Sequence, residues 1–162
     1  MFTPPSPNPL MNSGTDYSSY NRERVTMDIE KLKQRLIEHE GLRLKVYTCT
    51  RGRLTIGVGR NLEDRGISEE EAMMLLSNDI EECIEGVEQL FACFDGLSDS
   101  RQRVLVDMRF NLGQAGLEGF RMFRDAVENG DFDRAADEML DSNWARQVGH
   151  RAEQLASMMR SG

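Results

Sequence analysis

Glu40, Cys49 and Thr55 stand at fixed intervals, with eight residues between the first two and five between the last two. A carboxyl can give a proton to a departing oxygen. An ionisable sulfur can take one from water, and a hydroxyl can hold that water in place. The order therefore suits an acid, a water-activating group and a positioning hydroxyl around one cleft. Cys49 is the unusual member, because a thiol is only partly ionised at neutral pH. Lys45, Arg51 and Arg53 are its sequence neighbours, and cations lower a thiol's pKa.

The elements around these residues follow from their patterns. Ile29, Leu32, Leu36 and Ile37 recur at helical spacing. Thr26 is a fitting N-cap and Gly41 a fitting terminator. Glu40 thus falls at the negative end of a helix dipole, which disfavours an anion there by about 0.3–1 kcal/mol. Burial under the following hairpin would favour its neutral form further. Leu42 to Tyr47 alternates apolar and basic residues, Arg51-Gly52 marks a turn, and Leu54 to Val58 returns as a second strand. Gly57 and Gly59 point to close backbone approach.

Ser68-Glu69-Glu70-Glu71 is a capping box that opens a long amphipathic helix to about Leu90. Further helices are predicted over about 98–111, 120–128, 131–141 and 150–159. All four prolines lie in the first nine residues, so residues 1–26 read as a disordered tail. Met27 is an alternative start. The fold class is α+β. A small lobe with a β-hairpin spans about 27–67, a connecting helix about 68–90, and a helical lobe about 91–162.

Composition narrows the function classes. Of 162 residues, 39% are hydrophobic and 30% charged, with a net charge of −8. This is a globular mix without the Lys/Arg runs of a nucleic-acid binder. Cys49, Cys83 and Cys93 form no CxxC, and His39 and His150 stand alone. No metal site, cofactor or disulfide framework is expected, and the thiols read as free. No apolar run is long enough to span a membrane, and the N-terminus lacks the features of a signal peptide.

The segment Glu40-Gly41-Leu42-Arg43-Leu44-Lys45-Val46-Tyr47, with the spacing to Cys49 and Thr55 and the tail Ile56-Gly57-Val58-Gly59, resembles the T-even phage-type lysozymes, or endolysins. The likeness continues through Ile67 to Ala72, Leu76 to Asp79, Phe110 to Gly113, Gly116, Gly119-Phe120, Asp133 to Ala136 and Asn143-Trp144. It covers roughly residues 27 to 160. The resemblance implies a lysozyme-like fold and a muramidase that hydrolyses the β-1,4 bond between N-acetylmuramic acid and N-acetylglucosamine in peptidoglycan. Glu40 would be the general acid. Cys49 stands where the family has an aspartate that activates water, and Thr55 where a threonine holds that water. An inverting outcome is expected, with about 6.5–9.5 Å between the acting groups.

The resemblance also assigns supporting roles. Arg151 matches the arginine that pairs with the catalytic glutamate. Phe110 and, more weakly, Asn61 match sugar contacts. Trp144 reads as core. Arg60 replaces the family's histidine, and Asp79 matches that residue's ionic partner. A monomer is expected that binds peptidoglycan, without nucleic acid or membrane insertion. It would start in the host cytoplasm and reach the wall through a holin or with the virion. The competing reading is a weakened or inactive wall-binding or virion structural protein with the same fold. A general thiol hydrolase is a third reading, and it would need His39 or His150 as partner of Cys49.

Overall fold

The computed structural model describes residues 27–162, which divide into two compact units at Gly66/Ile67. The disordered tail expected over 1–26 and the Thr26 cap lie outside the described residues.

In the first unit, α1 (Ile29–Glu40) is capped by Asp28, whose carboxylate accepts from Lys31 N–H at 3.0 Å. Gly41 ends it at φ 75°, donating its N–H to the carbonyl of Ile37. Strand β1 (Arg43–Thr48) pairs antiparallel with β2 (Leu54–Gly57), and β2 pairs antiparallel with β3 (Arg60–Asn61). A hairpin plus a loop was predicted; the loop instead contributes a third strand and the one-turn helix α2 (Leu62–Arg65). The two backbone pairs Thr55–Asn61 and Ile56–Arg60 are too short to leave a periodic signal. Thr55 occupies the central strand, between Tyr47 and Asn61, and is the one buried side chain among residues 27–66.

The second unit begins with α3 (Glu69–Leu90), whose 22 residues give a rod of about 33 Å. Its expected capping box forms completely. Glu71 N–H donates to Ser68 Oγ at 3.2 Å, and Ser68 N–H donates to Glu71 Oε2 at 2.7 Å. A 3₁₀ turn (Phe94–Gly96) leads to α4 (Asp99–Gly119), followed by α5 (Arg121–Glu128), α6 (Phe132–Leu140), α7 (Asn143–Val148) and α8 (His150–Ser161). Helix α7 was not anticipated. It is only six residues long, and its signal is the cap in which Ser142 Oγ accepts from Ala145 N–H.

The core of this unit is built from Val87 and Phe91, from Val104, Leu105, Met108 and Leu117 of α4, and from Phe123, Val127, Met139 and Met159. Burying one such side chain is worth about 1.5–3 kcal/mol. Phe120 stands edge-on to both Phe123 and Trp144. Trp144 is buried, as expected of core, and its indole N–H donates to Asn111 Oδ1 at 2.7 Å.

Helix α4 runs eight residues beyond the predicted end near 111, with a break at Gly113 (φ 72°, ψ 172°). Only glycine adopts that backbone without strain. A Cβ at residue 113 would meet nothing within 4 Å, so its cost would be conformational alone. Gly113→Ala is therefore expected to lower unfolding stability by about 1–3 kcal/mol, read as a lower urea midpoint with unchanged slope.

Candidate active site

Glu40 is the last residue of α1, and the chain reverses immediately after it at Gly41. Its carboxylate faces the tight turn between β2 and β3. A Cβ built on Gly59 would lie 3.8 Å from Glu40 Oε2, so the missing side chain at 59 leaves that approach open. The burial expected for Glu40 is not seen. The residue is exposed, because the hairpin brings glycine rather than a bulky side chain against it.

Cys49 lies where β1 turns toward β2. Its N–H donates to the Arg53 carbonyl at 2.9 Å, and its carbonyl accepts from Gly52 N–H at 2.9 Å. These two bonds fix a five-residue turn around the half-buried Cys49. The thiol is held below its ordinary pKa. The largest cause is the N–H of Arg53, followed by that of Arg51, with a smaller contribution from the Thr55 hydroxyl opposing partial desolvation. The lowering was expected from neighbouring cations, whereas the main donors are main-chain amides. An amide fixed by a turn keeps its aim, while an exposed guanidinium is mobile and screened.

The Thr55 hydroxyl has one proton and two acceptors within reach. It donates to the Arg53 carbonyl at 3.1 Å, and it can turn that proton toward the Cys49 sulfur when the thiol ionises. Its burial, with 3% of its surface exposed, makes an unmade bond costly. The hydroxyl is thus held in place yet free to change its acceptor.

Glu63 was not singled out in the sequence. Its carboxylate takes Arg53 Nη1 at 2.8 Å through one oxygen and Leu54 N–H at 3.3 Å through the other. The first bond, then the second, holds the Glu63 carboxyl below its usual pKa. Asn61 caps α2, its side-chain oxygen accepting from the N–H groups of Glu63 and Asp64.

In the helical unit, Arg151 of α8 directs Nε (3.1 Å) and Nη2 (2.8 Å) onto one oxygen of Asp107 on α4. Asp107 was also missed, since the pair is separated by 44 positions in sequence. Both residues line an open cleft of about 470 Å³ together with Leu76, Ile80, Val106 and Phe110. Phe110 is 47% exposed, so it is not a core residue of its unit. Asp79 is exposed on α3, and Arg60 lies half-buried on β3 of the small unit. Among the described residues no three His, Cys, Asp or Glu side chains gather closely enough to hold a metal ion. None of the described helices is long and apolar enough to cross a membrane.

Comparison with known proteins gives consistent matches. The model of the phage lysozyme family matches residues 37–160. The chain is 23% identical to a probable T4-type lysozyme of Dictyostelium discoideum, over 83% of this chain and 96% of that protein. It is 33% identical to an endolysin of Bacillus phage B103, over 68% of this chain and 42% of that protein. It is also 26% identical to the pre-baseplate central spike protein Gp5 of Enterobacteria phage T4, over 81% of this chain. The match spans only 28% of that spike protein's length.

The three thiols differ in a way that can be measured. Burial is the first cause that raises the pKa of Cys83 and of Cys93, opposite in sign to Cys49. Alkylation by iodoacetamide at pH 7, followed peptide by peptide in a mass spectrometer, is expected to mark Cys49 first. Earlier modification of Cys83 or Cys93 would contradict this ordering.

Proposed function

Because the chain belongs to the phage lysozyme family, we propose that it is a muramidase that hydrolyses the β-1,4 bond between N-acetylmuramic acid and N-acetylglucosamine in peptidoglycan, for host lysis. The carrying observation is the family match over residues 37–160, which takes in Glu40, Cys49 and Thr55; main-chain donors that lower the Cys49 pKa agree with it. Glu40 protonates the glycosidic oxygen as the bond from that oxygen to the anomeric carbon breaks. Water adds to the anomeric carbon from the opposite face, and its proton passes to the Cys49 thiolate. The products are a reducing-end sugar of inverted configuration and a free hydroxyl. Solvent then returns a proton to Glu40 and removes one from Cys49.

The thiol makes this division of labour harder than a second carboxylate would. Carboxylic acids ordinarily lose their protons about four pH units before thiols. A carboxyl that donates opposite a thiolate that accepts is therefore a minority form unless the two acidities converge. The N–H groups of Arg53 and Arg51 move Cys49 in the required direction. Phe110 and Arg151 are proposed to serve substrate binding and charge support. Delivery to the wall through a holin or with the virion belongs to the same proposal.

A second reading has its own support in the spike-protein relative: a virion component that binds peptidoglycan and has lost turnover. Clearing of permeabilised bacteria separates the two. Wild type is expected to clear, and Glu40→Gln to fall by about a hundredfold or more. Cys49→Asp should retain or exceed wild-type rate, because a carboxylate ionises without help. Binding to isolated peptidoglycan with no release of reducing ends would favour the second reading. Clearing by Glu40→Gln at the wild-type rate would sink the proposed mechanism. Phe110→Ala is expected to raise KM with kcat nearly unchanged, the pattern of lost ground-state binding, on soluble wall fragments.

A further inference from the structure

Glu63 is a carboxylate of the small unit that the mechanism leaves idle, and its place is informative. Glu63, on α2, ties together two consecutive residues at the start of β2: the side chain of Arg53 at 2.8 Å and the main-chain N–H of Leu54 at 3.3 Å. The carbonyl between those two ties takes the N–H of Cys49 at 2.9 Å and the hydroxyl of Thr55 at 3.1 Å. The turn that presents the sulfur and the strand that presents the hydroxyl therefore share one peptide group, and Glu63 grips it from the solvent side. A peptide at the edge of a five-residue turn is otherwise free to rock. Rocking would swing the 53 carbonyl off the Cys49 N–H and off the Thr55 hydroxyl together, and so loosen the turn whose N–H groups face the sulfur.

We propose that Glu63 is a positioning residue of the lysozyme site, clamping the 53–54 peptide so that its carbonyl stays on the Cys49 N–H and the Thr55 hydroxyl and the turn around the sulfur keeps its shape. The inference rests on the reading of Cys49 as the group that activates water. The pull of the Arg53 N–H on the thiol agrees with the geometry.

A purely electrostatic role for Glu63 predicts the opposite outcome, so the two can be separated. The charged groups around this corner are Arg53, Glu63 and Asp64, with the Cys49 thiolate itself. Removing Glu63 frees a cation beside the thiol, which by charge alone would make Cys49 more acidic. Arg53 and Glu63 are both well exposed, with about half and a third of their side-chain surfaces open, so solvent and salt screen that effect. Loss of aim is not screened, and it should win.

The test reads the sulfur directly. Site-resolved iodoacetamide alkylation of Cys49 is followed against pH in wild type, Glu63→Ala and Glu63→Gln, with cell-wall hydrolysis measured alongside. Glu63→Ala is expected to move the alkylation midpoint upward by about half to one pH unit and to slow alkylation at pH 7 by about two- to fivefold. In hydrolysis it should lower kcat with little change in KM. Glu63→Gln keeps an oxygen for only one of the two donors and should fall between Glu63→Ala and wild type. Faster or unchanged alkylation in Glu63→Ala overturns the clamp. So does a Glu63→Gln variant that alkylates faster than wild type, which would assign the effect to charge. Should Glu63→Ala not fold, Arg53→Met removes the side-chain half of the clamp from its other end, and unchanged alkylation there overturns the proposal equally. The thiol readout needs no turnover. If wild type proves inactive while alkylation follows the expected order, the clamp stands and the muramidase reading fails.

Discussion

The peptide at Arg53 is the constraint on which the small unit depends. One carbonyl receives the N–H of Cys49 and the hydroxyl of Thr55, and its own residue's N–H faces the sulfur. Three functions that look separate in the sequence thus meet at one residue: its carbonyl closes the turn and holds the hydroxyl, and its N–H, on the preceding peptide, faces the thiol. Ordering both peptides of that residue orders all three. Such sharing makes the arrangement fragile, because nothing else in residues 27–66 is buried except Thr55. With so little apolar burial, the positions of Cys49 and Thr55 rest on hydrogen bonds more than on packing.

The helical unit is built on the opposite principle. Its core is close-packed around α4, and its polar groups sit where packing puts them. The Asp107–Arg151 pair joins α4 to α8 beside a Phe110 that the core does not take in. An exposed phenyl ring costs hydration free energy, and a guanidinium fixed by two bonds to one oxygen loses side-chain entropy. Both costs fall on the rim of one cleft, where residues of those types would be useful to a sugar polymer with anionic groups. Elsewhere this unit is economical: Gly86 lets α3 pass within 2.7 Å of Gln114 Oε1, as measured from a Cβ built there.

How much of this was legible follows from what a sequence encodes locally. Helix α3 announces itself through Ser68 and Glu71, because a capping box is local chemistry. The spacing of Glu40, Cys49 and Thr55 was legible for the same reason, since a helix end and a hairpin set it. The helix end predicted near 111 falls close to the break at Gly113, whereas the resumption of the helix to Gly119 was not legible, because a single glycine of altered backbone reads as a terminator. The donors to Cys49 were misread as Arg51 and Arg53 side chains, whereas the main chain of the same two residues supplies them. Side-chain identity names a charge, but it does not say where a peptide plane points. Glu63 and Asp107 were invisible because each gains its meaning from a partner 10 or 44 positions away.

These points converge on the sulfur. A carboxylate at position 49 would be ionised at neutral pH without assistance, and a hairpin of looser geometry would serve it. A thiol ionises only when donors are aimed at it, and sulfur accepts weakly and at longer range. Replacing carboxylate by thiol therefore shifts the burden from the side chain to the backbone that surrounds it. The turn at Arg51 to Arg53, the two-way hydroxyl of Thr55 and the grip of Glu63 are what a thiol needs and a carboxylate does not. Cys49 is therefore read together with its surroundings: donors of the turn and the Thr55 hydroxyl act on the sulfur, and Glu63 acts on the peptide between them.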